Sequence, residues 1–337
     1  MGKHHKTKEN MNGKRIIKKS KKKRIGLKIF IFILILIAIA GGIFAKRVHD
    51  LDGNWIAVLF GHTEKTLENL DKLYILAMGE STGMSDTIIV CSYDPKTQEA
   101  SMLSIPRDTF IGDSKNNAST SDKINSLYNN GKKPEKTIEA VNKLTGLNIE
   151  HYILIDTEGL VKLVDTIGGV EFDVPINMKY DDYSQELHIN LKKGMQTLNG
   201  NQVEQLVRFR HNSNGSSYSS EYGMEDFGRM RTQREVLMAI AKQTIQLKNV
   251  KEIGNILDIA KEYVETNIDF NLLKDYIPYA VELNIDTIKA KQLPGTTPYI
   301  NGISFFLADE EETKKIVEEL FLGTVTEESA ETSSEEK

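Results

Sequence analysis

The chain has 337 residues, 39% of them hydrophobic, with a net charge of −5. That is enough apolar material for one large globular domain with its own core, and it excludes fibrous and collagen-like classes. The charge is sharply divided: fourteen Lys and Arg against one acid, Glu9, up to Arg47, then 29 basic and 47 acidic residues after it. An acidic body repels polyanions in general, so phosphate-binding arginines there must be locally concentrated.

Residues 1–28 read as a basic cytoplasmic tail. Residues 29–45 (IFIFILILIAIAGGIFA) carry no charge. As a helix they span about 25 Å, close to one bilayer core, and Leu27 and a snorkelling Lys28 extend them. The basic run KKSKKKR at residues 18–24 precedes this segment. The positive-inside rule therefore predicts a single-pass membrane protein, its N-terminus cytoplasmic and everything after Lys46 extracellular. A cleaved signal peptide is the rival reading, and the long basic leader with its lengthy apolar run favours an uncleaved anchor. Charge beside a membrane segment already has a topological role, so no nucleic-acid partner is expected.

Residues 46–72 read as a stalk and entry helix. Residues 73–78 (LYILAM) and 87–92 (TIIVCS) are β-rich runs, followed by a turn at Asp94-Pro95-Lys96 and a strand at 100–105. Cys91, the one cysteine, excludes an internal disulfide and reads as a buried, inert thiol. Helical spacing at 137–144 gives way to a strand at 151–155 and a helix at 158–164. Gly168-Gly169 then introduces a strand at 170–174. Residues 226–248 form the longest amphipathic candidate, with Met230, Val236, Leu237, Ile240 and Ile245 supplying apolar positions. Further helices are expected at 253–263, 272–281 and 310–320. Alternating strands and helices predict an α/β domain over residues 73–322, with helices covering a sheet. Residues 212–222, rich in Gly, Ser and Asn, are either a mobile lid or a plain surface loop. Residues 323–337 read as a disordered acidic tail.

Three clusters carry chemistry. The first is Ser85-Asp86-Thr87 at the start of a β run. The second is Arg107-Asp108, which follows Pro106 at a strand end, where side chains reach the rim of an α/β sheet. The third joins Arg208 and Arg210, which share a side if that stretch is extended, to Asp226, Arg229 and Gln233, which share one helical face. A guanidinium binds phosphate oxygens in pairs and keeps its charge, and several together repel one another without an anion between them. The favoured anion is a phosphate or pyrophosphate. The plain alternative is a surface salt bridge for each arginine and a turn cap for Asp86. Carboxylates near phosphate suit Mg²⁺. HExxH, CxxC and GxxxxGK[ST] are absent, so a Cys/His metal site and a nucleotide kinase find no support.

The motifs SDTIIVCSYDPKTQ (85–98), SIPRDTF (104–110), DKINSLY (122–128), VDTIGGVEFDVP (164–175), LNGNQVEQLVRFRH (198–211) and DFGRMRTQ (226–233) occur in this order. With them the chain resembles the LytR-CpsA-Psr family of envelope proteins over residues 73–248. The resemblance implies an α-β-α sandwich with a central mixed β-sheet, preceded by one N-terminal transmembrane helix. It implies transfer of a glycopolymer, such as wall teichoic acid or capsule, from undecaprenyl pyrophosphate to peptidoglycan, assisted by Mg²⁺ beside the membrane lipid. By matching motifs, Asp86 would bind the metal, and Arg107, Arg208, Arg210 and Arg229 would hold the pyrophosphate. Asp226 and Gln233 would complete that side, and Asp108 and Lys123 would support the pocket.

The chain departs from the family pattern at several positions. Gly83 and Met84 stand where many members have arginine. Glu80 stands where many have aspartate after the first strand's glycine, and is the candidate second metal ligand. Thr232-Gln233 replaces an Arg-Gln pair. Asp86 is open as either base or metal ligand. Two other functions compete with this one: a non-catalytic polyprenyl-pyrophosphate binder or sensor, which would share the arginines, and an envelope-related transcriptional attenuator. The last conflicts with a short cytoplasmic tail that has no helix-turn-helix pattern.

Overall fold

The computed structural model describes residues 37, 39–81, 84–129, 133–184, 186–245 and 253–323. The expected basic tail, most of the expected 29–45 anchor, the end of the expected 226–248 helix and nearly all of the expected acidic tail lie outside the described residues. Two compact units are present, residues 1–64 and 65–337. In the first, the chain is helical from 39 to 50 and again in α1 (Trp55–Leu59). Asn54 caps α1, its side-chain oxygen accepting from the Ala57 N–H at 2.7 Å. A second short helix, α2 (Glu64–Glu68), follows. Among the described residues no helix is long and apolar enough to cross a membrane.

The second unit is organised by three apolar strands: β1 (Leu73–Ser81), β2 (Met84–Asp94) and β3 (Glu99–Ser104). In β2 successive side chains alternate between faces, so Ile88 and Val90 lie opposite Ile89, yet all three are at most 2% exposed. A strand buried on both faces belongs in the middle of a covered sheet. Next come α3 (Pro134–Thr145), β4 (His151–Asp156) and α4 (Thr157–Thr166). Pro134 at the start of α3 and left-handed Gly146 at its end are the expected start and stop residues.

Two antiparallel pairs follow, β5 (Val170–Val174) with β8 (Gly194–Leu198) and, between them in the chain, the hairpin of β6 (Met178–Asp182) with β7 (Leu187–Leu191). Sequence reading leaves 176–198 unassigned, although buried Leu187, Ile189 and Leu191 alternate with exposed His188 and Asn190. Then come α5 (Gly200–Arg208), α6 (Glu225–Thr244), α7 (Ile253–Tyr263), β9 (Val264–Thr266), α8 (Phe270–Ala280), β10 (Lys289–Gln292) and α9 (Glu310–Val317). The central sheet has the order β10-β3-β2-β1-β4-β9. Its pairings are antiparallel except β1 with β4 and β3 with β10, so the sheet is mixed, as expected.

One face of the sheet (Leu76, Met78, Ile88, Val90, Leu103) packs on Ile138 and Val141 of α3 and Val317 of α9. Each such side chain, fully buried, contributes about 1.5–3 kcal/mol. The other face, with nearly inaccessible Ile89 and Met102, lies towards α4 and α6, which contact β1 and β3 respectively. A second apolar cluster joins α4, α5 and α6 to the two antiparallel pairs through Val164, Phe172, Ile189, Leu206 and Val236.

Residues 212–222 form an anchored surface loop. His211 and Ser217 make a β-bridge, and Tyr218, 3% exposed, stacks on Tyr222 with ring centroids 5.1 Å apart. Gly228 makes room for this anchor, since a Cβ there would lie 2.2 Å from the Tyr218 ring.

Candidate functional site

Pro106, Arg107, Asp108 and Thr109 make the turn by which the chain leaves β3, closed by the Thr109 N–H on the Pro106 carbonyl at 3.0 Å. The Thr109 hydroxyl donates to the same carbonyl at 2.6 Å. The turn is tied down from outside by the Asn125 N–H on the Arg107 carbonyl and the Phe306 N–H on that of Asp108. Its two central side chains find different partners: Arg107 donates to Asp86 on β2 at 2.6 Å, and Asp108 accepts from Lys123 at 2.8 Å.

Glu80 is aimed by a bulge. The β1–β2 register shifts between Gly79 and Glu80, and a Cβ at Gly79 would sit 3.1 Å from that of Thr87. A glycine allows that approach, and bulges of this kind re-aim the side chain that follows. Glu80 accepts from the hydroxyl of buried Tyr128 at 3.0 Å.

Arg208 and Arg210 arrive otherwise than expected. The stretch is not extended throughout: α5, started by a capping box between Asn199 and Gln202, ends at Arg208, and fully buried Phe209 turns the chain into extended conformation. Arg208 pairs with Glu204 one turn earlier at 2.9 Å, and Arg210 with Glu225 at 2.8 Å. On α6, Arg229 donates to Asp226, and the Gln233 amide donates to the Val207 carbonyl at 3.0 Å, fastening α6 to α5. Arg229 is 11% exposed, and its Nε is buried with no hydrogen-bond partner.

A cavity of about 610 Å³ gathers these groups. Arg107, Arg208, Arg210 and Arg229 line it together with Glu80, Asp86 and Gln233. Asp108 and Asp226 line an adjoining cavity instead, and Lys123 reaches neither but holds Asp108. Burial acts to lower the pKa of Arg107, but Asp86 beside it, with Asp226 and Asp108, prevails and raises it. Burial lowers that of Arg229, with Arg107 and Arg210 adding to the effect against Asp226 and Asp86. Three guanidinium groups drawn from different segments thus feel one another, an arrangement whose repulsion a bound anion relieves.

The larger cavity also has apolar walls, Ile155, Leu160, Leu187 and Val207, and polar ones from Asp156, Tyr180 and His211. Sequence reading missed all of these as site residues. Asp156 is held as the cap of α4, accepting from the Gly159 N–H at 2.7 Å, and the His211 ring meets Tyr180 edge-on. His211 was within reach, adjoining Arg208-Phe209-Arg210; Tyr180 and Leu187 sit on the unassigned hairpin, where no motif marks them as site residues.

Among the described residues no three His, Cys, Asp or Glu side chains cluster as a metal cage. Asp86 and Glu80 nonetheless offer hard oxygen ligands to one cavity. That donor set fits Mg²⁺, which commonly binds through one or two carboxylates plus substrate phosphates.

A model of the LytR_cpsA_psr family matches residues 52–321. The polyisoprenyl-teichoic acid–peptidoglycan teichoic acid transferase TagU of Bacillus subtilis is 30% identical over 76% of this chain and 79% of its own length. TagV of the same organism, named as the same kind of transferase, is 33% identical over 55% of this chain and 45% of its own. The crystal structure of B. subtilis TagV superposes with a TM-score of 0.60 at 28% identity, covering 75% of this chain and 98% of that one.

Proposed function

The chain belongs to the LytR_cpsA_psr family, and from this premise we propose that it is a membrane-anchored phosphotransferase moving a glycopolymer from an undecaprenyl-pyrophosphate carrier to peptidoglycan. The observation that carries the proposal is the convergence of Arg107, Arg208, Arg210 and Arg229 on one cavity with apolar walls. A polyprenyl pyrophosphate has the matching parts, a doubly charged diphosphate joined to an apolar chain. The diphosphate lies among the guanidinium groups, with the buried Arg229 Nε free to donate. The first isoprene units lie against Ile155, Leu160, Leu187 and Val207. Residues 29–45 hold the enzyme beside its lipid substrate, and the domain stands outside the cytoplasm.

In the reaction a sugar hydroxyl of peptidoglycan attacks the phosphorus bonded to the glycopolymer. A new P–O bond forms, the bond to the bridging oxygen breaks, undecaprenyl phosphate departs, and the hydroxyl proton passes to a carboxylate of the site. Negative charge grows on the phosphoryl oxygens, so positioned cations supply most of the stabilisation. Arg107, fixed by Asp86, and Arg229, fixed by Asp226, are aimed before the substrate arrives and need little reorganisation. Asp86 and Glu80 would hold Mg²⁺, which would neutralise part of that charge. Water in place of the sugar gives hydrolysis of the same bond as a side activity.

The test is to incubate the full-length protein in detergent with a labelled polyprenyl-pyrophosphate-linked glycan and peptidoglycan oligomers. Label moving into peptidoglycan with release of polyprenyl monophosphate is the expected result. Binding without release, unaltered in Asp86→Ala, would instead establish a binder or sensor; no binding would reject the proposal.

A further inference from the structure

Arg107 and Arg210 have a second side. They also wall an adjoining cavity of about 300 Å³, whose remaining lining differs in kind from that of the larger one. Asp108, Glu225 and Asp226 bring carboxylates, while Met224, Phe227 and Phe306 bring an apolar wall. Phe306 is buried and meets Phe227 edge-on at 6.4 Å between centroids, which leaves Phe227 38% exposed. Glu225, the first residue of α6, is held at a positive φ of 49°. Its ion pair with Arg210 and its N–H on the Ser217 hydroxyl at 3.0 Å keep it there. A non-glycine residue in that region costs backbone energy that surrounding contacts must offset, and such residues gather at working sites.

The two cavities divide the charge. The larger sets four arginines against Glu80, Asp86 and Asp156; the smaller sets two against three carboxylates. A phosphate therefore prefers the larger. The smaller suits an uncharged ligand rich in hydroxyl donors, with an apolar face for an exposed ring. A sugar has both. Phosphoryl transfer further requires the attacking and leaving oxygens to lie roughly in line. A nucleophile held in the smaller cavity reaches the phosphate past the shared arginines, from a lining that lacks Ile155, Leu160, Leu187 and Val207.

We propose that the smaller cavity is a saccharide subsite that holds the attacking sugar, its ring against Phe227 and its hydroxyls on the carboxylates of Asp108, Glu225 and Asp226. The assignment rests on the transferase reading. It is tested on the full-length protein in detergent with Phe227→Ala and Phe227→Tyr, changes at a partly exposed side chain. The probes are a neutral β-1,4-linked N-acetylglucosamine tetramer, a short polyprenyl pyrophosphate, and the same pyrophosphate bearing glycan. Phe227→Ala is expected to weaken tetramer binding about tenfold, the loss of one aromatic contact, and Phe227→Tyr to retain it. Binding of the bare pyrophosphate stays unchanged, and in transfer the KM for peptidoglycan rises while that for donor does not. Tetramer binding equal to wild type in Phe227→Ala would overturn the proposal. So would selective weakening of the glycan-bearing donor, which would make this the seat of the donor's sugar. Failure of the transferase reading appears separately, as no binding of polyprenyl pyrophosphate by the wild type.

Discussion

Arg107 reaches Asp86 at 2.6 Å from a turn 21 residues further along the chain, and each side chain keeps about a quarter of its surface exposed. The contact locks the guanidinium in place at the cavity wall while leaving it open to a ligand. Such pre-organisation is what electrostatic stabilisation of a phosphoryl transition state requires.

Arg107→Ala is therefore expected to lower turnover of polyprenyl-pyrophosphate-linked glycan by about a hundredfold or more, the usual effect of removing one such donor. Its thermal midpoint should move little, because a partly exposed ion pair contributes little stability. Arg107→Lys, with charge but no planar fork, should recover only part of the rate. Steady-state kinetics beside a melting curve check all three outcomes.

Arg229 separates stability from activity. Burial opposes its charge, and its Nε has no partner, so the fold gains little from it. Arg229→Met should leave the thermal midpoint unchanged or raised, while turnover falls about a hundredfold. A variant both active and stable would remove Arg229 from the site.

Gly228 is a packing position. Its missing Cβ is where the Tyr218 ring lies, at 2.2 Å. Gly228→Ala is expected to destabilise the domain by about 3 kcal/mol, the upper range for overpacking. It should also loosen residues 212–222. Urea midpoints and proteolysis of that loop measure the two effects.

Cys91 tests burial on the sheet. The residue keeps some accessible surface, yet protein surrounds the thiol closely enough that burial pushes its pKa up to about 12. A thiol reagent at pH 8 is expected to label the protein only after unfolding, since the thiolate is the nucleophile. A pKa raised on folding stabilises the native state fully below the ordinary thiol range and is lost as pH rises towards 12. Cys91→Ser should flatten that part of the stability profile between pH 9 and 12.

Much of the fold is written locally. Short apolar, β-rich runs mark β1 to β4, and helical spacing marks α6 through α9 close to their observed ends. The hairpin strand Leu187–Leu191 was equally legible in its alternation, but its charged surroundings hid it. Arg208 and Arg210 show the limit of local reading. Their spacing suited an extended strand, whereas Leu206 and Val203 draw the segment into the second apolar cluster as a helix that ends at Arg208. Tertiary packing overrode the local pattern there, yet both side chains still reach the cavity.

The sequence by itself determined the set of chemical groups, arginines and carboxylates in ordered motifs. Composition and motif order also sufficed for the α/β class and the family resemblance, because both depend on residue types and short-range spacing. Only the tertiary structure decided which groups share a space. It placed Asp108 and Asp226 in a second cavity beside Arg107 and Arg210, and brought Tyr180, Leu187 and His211 to the first. The reason is geometric: a cavity wall is made of side chains from segments far apart in the chain, and their distances are set by how the core closes, which no local pattern encodes.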